Sequence, residues 1–293
     1  MSALRVAAAG AALALLAAAQ AQPDAATALR ARHAALQGAL QQNDFKRPLT
    51  LESHQTAGDL KGDIHALVEH PFDRVDAALK SPGQWCEILM LHLNVKHCRA
   101  AAPAGAAPQT LVVSIGKKYD QPIEDAYRVP FTYRVAQRSA VYLQIQLRAD
   151  EGPLGTRDYR ITLEAVAIDA RHSFIHLTYA YSYGLAARVA MQGYLSTLGR
   201  GKVGFSVVGR QPDGKPIYVD NVRGVAERNT MRYYLAIDTA IDTHGLPAAE
   251  QQERRLREWF AATERYPRQL HELDQGEYLE MKRKEMKRQR EGS

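Results

Sequence analysis

The chain has 293 residues, 46% hydrophobic and 24% charged, with two Cys and a formal net charge of +6. These are globular values, enough for a sizeable core, and they exclude a disordered, collagenous or disulfide-dense chain. The positive balance does not mark a nucleic-acid face. Lys282, Arg283, Lys284, Lys287, Arg288 and Arg290 against Glu285 and Glu291 place +4 of it in the last stretch, and Arg5 supplies one more at the other end.

Residues 1–21 read as a secretory signal peptide. Arg5 is the only charge before an Ala/Leu run from Val6 to Ala19, and Ala19-Gln20-Ala21 is a small-x-small cleavage site. The run is too Ala-rich and too short for a spanning helix, which needs about 20 apolar residues. The expectation is cleavage after Ala21 and export to a bacterial periplasm; an uncleaved anchor is the alternative.

Residues 22–48 form an N-terminal helical segment: Asp24 suits the cap of a helix over 24–42 with Leu29, His33, Leu36 and Leu40 at helical spacing. Strands are predicted over 49–55 and 60–69, parted by Gly58-Asp59. In the second, Leu60, Gly62, Ile64, Ala66 and Val68 face one way, and His65 is sent outward. Pro71 suits the start of a short helix over 73–80. Ser81-Pro82-Gly83 breaks it, and a second short helix carries Trp85, Ile88 and Leu89. Strands return over 94–99 and 111–117, around a flexible Ala/Pro/Gly-rich loop over 100–109.

Cys86 and Cys98 are the only cysteines. In an oxidising compartment they predict a disulfide, worth roughly 3 kcal/mol for so short a loop. Two buried thiols are one alternative. The other is a metal site with His92 and His97, although C-x5-H-x4-H-C is not a usual zinc spacing.

From Tyr127 to Tyr183 the apolar residues fall almost entirely on odd positions, through four consecutive segments. Tyr127, Val129, Phe131, Tyr133 and Val135 lead, then Val141, Leu143, Ile145 and Leu147, then Tyr159, Ile161, Leu163 and Ala165, then Ile175, Leu177, Tyr179, Tyr181 and Tyr183. Alternation of this length predicts half-buried antiparallel strands with one face on a core or cavity. His172 and His176 fall on the opposite face and are expected to be exposed. A helix over 185–198 follows, then a hairpin around Gln211-Pro212-Asp213-Gly214, then a helix over 224–243 stopped by Gly245 and Pro247. Its apolar face includes Tyr233, Tyr234 and Ile237. Arg228 and Arg232 are assigned to its outward face, and Glu227 and Asn229 flank the apolar one. More helix runs over 250–290, broken near Tyr266-Pro267 and Gly276.

The strand Asp63-Ile64-His65-Ala66-Leu67-Val68-Glu69, the turn and helix His70-Pro71-Phe72-Asp73-Arg74-Val75, and Ser81-Pro82-Gly83-Gln84-Trp85 precede the meander and the long helix. In this order, over roughly 59–243, the chain resembles the helix-grip superfamily of START and polyketide-cyclase-like proteins. The resemblance implies an α+β fold: a curved antiparallel sheet gripping a long C-terminal helix, with an apolar cavity between them. Here that domain is bounded at 49–246, with helical extensions before it and over 247–293, and the segment 185–222 is an insertion relative to the family. Members bind lipids, sterols, polyketides or other apolar ligands; some cyclise or aromatise them and many are carriers.

Three phenols on one strand, Tyr179, Tyr181 and Tyr183, suggest a cavity wet at one end, because a buried hydroxyl needs a partner. The plain alternative is a solid sheet packed under a helix. The expected lining is Tyr159, Leu163, Leu177, Tyr179, Tyr181, Tyr183, Tyr233, Tyr234 and Ile237. No catalytic residue, metal ligand or cofactor site is assigned: G-x-S-x-G, H-E-x-x-H and a phosphate loop are absent from the sequence. The reading is an exported binder or carrier of an apolar or amphipathic small molecule, lipids included, that takes no nucleic acid. A cyclase-like enzyme using the same cavity and a pocketless interaction protein are the alternatives. The tail, read as a solvated basic helix with few apolar contacts, is expected to touch anionic membranes weakly and to be dispensable for folding.

Overall fold

The structure is a computed structural model describing residues 24–101, 109–197 and 199–291. The expected signal peptide over residues 1–21 and most of the Ala/Pro/Gly-rich loop lie outside the described residues. Among the described residues, no helix is long and apolar enough to cross a membrane.

The chain runs α1 (Ala25–Gln41), β1 (Leu49–Gln55), β2 (Asp59–Val68), α2 (Phe72–Leu79), α3 (Pro82–Leu89), β3 (Val95–Ala100) and β4 (Gln109–Ile115). The meander follows as β5 (Tyr127–Arg138), β6 (Tyr142–Glu151), β7 (Thr156–Ala167) and β8 (Ser173–Tyr183). Then come α4 (Leu185–Ser196), β9 (Val207–Arg210), β10 (Pro216–Tyr218), α5 (Asn221–Asp242), α6 (Ala248–Glu264), α7 (Pro267–Leu270) and α8 (Gln275–Glu291). Eight strands form one curved antiparallel sheet in the order β1-β2-β8-β7-β6-β5-β4-β3, and β9 and β10 form a separate hairpin. The long helix α5 lies on the concave side, packed against β1, β2 and β8. This is a helix grip.

The grip is closest at Gly62. A Cβ there would sit 2.2 Å from the Thr230 hydroxyl oxygen of α5, so only glycine lets the helix approach β2 at this point. Most of the odd-numbered apolar residues of the meander do face the core, Phe131, Ile145, Leu163 and Leu177 among them, but Tyr127 and Val141, at strand ends where the helix no longer covers the sheet, are exposed. The turn between α2 and α3 is held by a capping box, in which Ser81 and Gln84 each bond the other's backbone N–H. Cys86 of α3 and Cys98 of β3 are joined in a disulfide with their Cα atoms 5.1 Å apart. That pairing ties α3 to the edge strand and leaves no thiolate for a metal.

The opposite sheet face is not simply in water. Leu29 and Leu40 of α1 cover Tyr142, Val166 and Phe174 on it. His65, expected to be exposed, is therefore buried and stacked on His176 at 4.2 Å. His176 is half-buried, with Nδ1 2.9 Å from Glu164 and Nε2 3.0 Å from Asp63.

The C-terminal tail corrects a second expectation. Met281 and Met286 belong to the main core, and Lys282 and Glu285 are fully buried against β3. Arg283 pairs with Glu253 and Lys284 with Asp120. Counting apolar residues along α8 missed this, because the aliphatic stems of Lys and Arg bury as well.

Candidate functional site

The β7–β8 pair carries an irregularity where the site is built. Arg157 faces Ser182 and Arg160 faces Ala180, so Asp158 and Tyr159 together oppose Tyr181. Asp158 adopts φ 54°, a left-handed conformation that Asp tolerates and that such a bulge requires. The Tyr159 ring then lies on the Tyr181 ring, with centroids 5.2 Å apart and planes 12° apart. Tyr179 continues the aromatic wall towards Tyr233 of α5, 5.2 Å away, and His92 stacks behind Tyr233 at 4.8 Å.

This wall bounds a cavity of about 580 Å³. Tyr159, Tyr179 and Tyr181 form one side, Ala187, Ala190 and Met191 of α4 another, and Val225, Arg228, Asn229 and Arg232 of α5 a third. Among the described residues, Asn94, the loop residues Lys117, Lys118 and Tyr119, the turn Pro153-Leu154 with Thr156, and the linker pair Glu272-Leu273 complete it. Tyr119 and Leu154, each about half exposed, stand at its rim.

Of the residues expected to line a cavity, Tyr159, Tyr179 and Tyr181 touch it. Leu163, Leu177 and Ile237 lie in the packed core beneath. The Tyr183 hydroxyl turns to the far end of the strand and donates to the Thr56 carbonyl at 3.1 Å. Tyr233 supports Tyr179 from behind. Tyr234 points elsewhere, its ring 5.7 Å from the Arg47 guanidinium, because consecutive helix residues diverge by about 100° and cannot share one volume.

Arg228 and Arg232 were assigned to solvent and are instead in the cavity wall, each only 1% exposed. Helix α5 has little outward face to offer, since α4, α6 and α7 pack on it as well as the sheet. Glu227 does not reach the cavity. It is fully buried and accepts the backbone N–H groups of Phe205 at 2.6 Å and Ser206 at 2.9 Å, with hydroxyls of Ser206 and Ser53. A Cβ on Gly204 would meet its carboxylate at 2.5 Å, so this loop is folded onto Glu227.

The polar groups cluster at one end. Glu272 accepts from Arg232 at 2.8 Å and from Lys118 at 2.5 Å. Burial works against its charge, but Arg232 and Lys118 outweigh that and hold its carboxyl below the usual range. Burial, then the neighbouring Arg232, bring the Lys118 ammonium down to about 7 against the pull of Glu272. Burial raises the phenols of Tyr159, Tyr179 and Tyr181, which stay neutral donors. Lys118 and Glu272 were missed because each lies in a connection between elements, where a charged residue reads as surface.

No family model and no curated protein matches the chain in sequence. Solved structures similar to it include human StAR-related lipid transfer protein 5, 9% identical with TM-score 0.37 over 74% of this chain and 96% of that one. A conserved protein from Geobacillus kaustophilus is 12% identical with TM-score 0.36, over 62% of this chain and 95% of that one. Norcoclaurine synthase from Thalictrum flavum, in complex with dopamine and hydroxybenzaldehyde, is 13% identical with TM-score 0.33, over 52% and 80%. These likenesses are of architecture, and the helix grip itself rests on the strand order and the seat of α5.

Proposed function

We propose that this chain binds an apolar or amphipathic small molecule between the β7–β8 tyrosines and α5, and that it does so as an exported periplasmic carrier. The observation that carries the binding reading is the cavity of about 580 Å³, within the range of small-molecule sites, with an aromatic and aliphatic wall and a few converging polar groups. Three neutral phenols in that wall offer hydrogen bonds that a dry core would not need. The Ala/Leu run after Arg5 and the disulfide support export, since such bridges persist in oxidising compartments.

Native mass spectrometry of protein purified from its host should show a co-purifying mass, lost on denaturation. Ala190→Trp, which fills the cavity from α4, should abolish uptake of a fluorescent apolar probe while the melting temperature stays nearly unchanged. Absence of both a bound mass and probe uptake in the unsubstituted protein would refute the binding reading. Cell fractionation with N-terminal sequencing tests the other half: a periplasmic chain starting at Gln22 is expected, and a cytoplasmic one starting at Met1 overturns it.

A catalyst using the same cavity is the second reading, favoured by Lys118. An amine held near 7 beside a bound molecule can act as a base or nucleophile at neutral pH. Turnover of a co-purified molecule that is lost in Lys118→Met, with binding retained, would decide for it.

A further inference from the structure

We infer that the convex face of the sheet, away from the cavity, binds an anionic polysaccharide across β5, β6 and β7. Strand pairing places Arg148 of β6 directly opposite Arg160 of β7, with Thr132 of β5 on the other side of Arg148. Arg134 lies diagonal to Arg148, and Arg128 is on the same face of β5. All four arginines are exposed. A groove of about 360 Å³ lies among them, lined by Thr132, Arg134, Gln146 and Arg148. Helix α1 covers only the other end of this face, over Tyr142, Val166 and Phe174.

Like charges directly opposite one another work against strand pairing, so stability alone does not account for Arg148 beside Arg160. Nor does the protein neutralise them. Among the described residues none of the four arginines is in an ion pair, and Asp150, on the same face of β6, is not within ion-pair distance of any. Arg134 donates to a neutral acceptor, the Gln146 amide oxygen, at 3.3 Å. Asp59 interacts with Arg160, but its two carboxylate oxygens accept from Ser182 at 2.7 Å and Thr56 at 3.1 Å.

Guanidinium forks bind carboxylate, sulfate or phosphate oxygens in pairs. Thr132, Gln146 and Thr162 stand among them and supply the neutral donors and acceptors that sugar hydroxyls need. The outward positions from Arg128 to Arg134, Gln144 to Asp150 and Arg160 to Glu164 carry no aromatic ring on which bases would stack. They also carry no large aliphatic group to enter a bilayer. Strands about 4.8 Å apart present their charges at a regular interval to an extended chain lying across them.

Titration calorimetry on the full chain with alginate, a linear polyuronate, and with neutral dextran tests this. Alginate should bind and dextran should not. Arg148→Gln with Arg160→Gln should weaken alginate binding at least about tenfold, as the loss of charge-assisted contacts implies, and flatten its salt dependence. The melting temperature should stay the same or rise, because the substitutions also relieve the repulsion. Lys287→Gln with Arg290→Gln removes the same charge from the end of α8 and should leave alginate binding within about twofold. Equal losses in the two double variants would reduce the effect to net charge and overturn the inference. Dextran binding as tightly as alginate, or no binding of alginate at all, would overturn it too. Tighter binding to phosphatidylglycerol vesicles or to oligothymidylate than to alginate would give the face to a membrane or to a nucleic acid instead.

Discussion

Lys96 of β3 and Glu285 of α8 form an ion pair at 2.9 Å in which neither side chain is exposed. Lys282 closes the cluster, donating to Glu285 at 2.7 Å and to the Val95 carbonyl at 2.7 Å. Two ammoniums thus surround one carboxylate out of water, and burial brings that of Lys282 down to about 8. The last helix is a wall of the protein.

Glu285→Ala should therefore destabilise by about 3–5 kcal/mol, because it strands two buried cations. Truncation after Glu280 should do at least as much, since it also removes Met281 and Met286 from the core. Urea unfolding checks both. A truncated chain with an unchanged midpoint would restore the solvated tail.

His176 makes stability depend on alkaline pH. Burial opposes its charge, but Asp63 and Glu164 outweigh it and raise the imidazolium to about 9 from an ordinary 6.5. A pKa raised by folding contributes stability that is full below about 6.5 and lost as pH climbs through about 9. Asp63, held down to about 2 by His176 and Lys61 despite burial, contributes above its ordinary 3.8 and loses that as pH falls through about 2. Melting temperatures from pH 6 to 10 should fall in the native protein and fall distinctly less in His176→Gln. Parallel curves would show that the imidazole is not the group responsible.

Gly62→Ala should cost about 1–3 kcal/mol, the usual range for overpacking, because its methyl would collide with Thr230. Thr230→Ala removes the obstacle, and the double variant should recover much of the loss. Additive losses in the double-mutant cycle would place the strain elsewhere.

Cys86→Ala with Cys98→Ala should cost roughly 3 kcal/mol for a bridge spanning 12 residues. Thiol titration of the unfolded, unreduced chain should find none free. Two free thiols would contradict the bridge.

The alternation by itself determined the sheet and which face of it is inner. Tyr179 and Tyr181 face the cavity, while Thr178 and Ser182 bond Asp63 and Asp59 on the other side. The pleat fixes this, for a one-residue slip would turn every side chain round. The Ser-Pro-Gly break and the lone cysteine pair were legible for the same kind of reason: short-range geometry leaves few solutions. What only the tertiary structure decided is where the charges went. Arg228 and Arg232 at helical spacing look like a solvated stripe, and whether that stripe meets water depends on α4, α6 and α7 arriving from elsewhere in the chain. Lys282 and Glu285 carry the same ambiguity, as does His65, which becomes core because α1 crosses its face. Local patterning reports how a residue is presented by its own element. A buried charge exists only through partners distant in sequence, so Arg232 finds Glu272 only when the chain has folded.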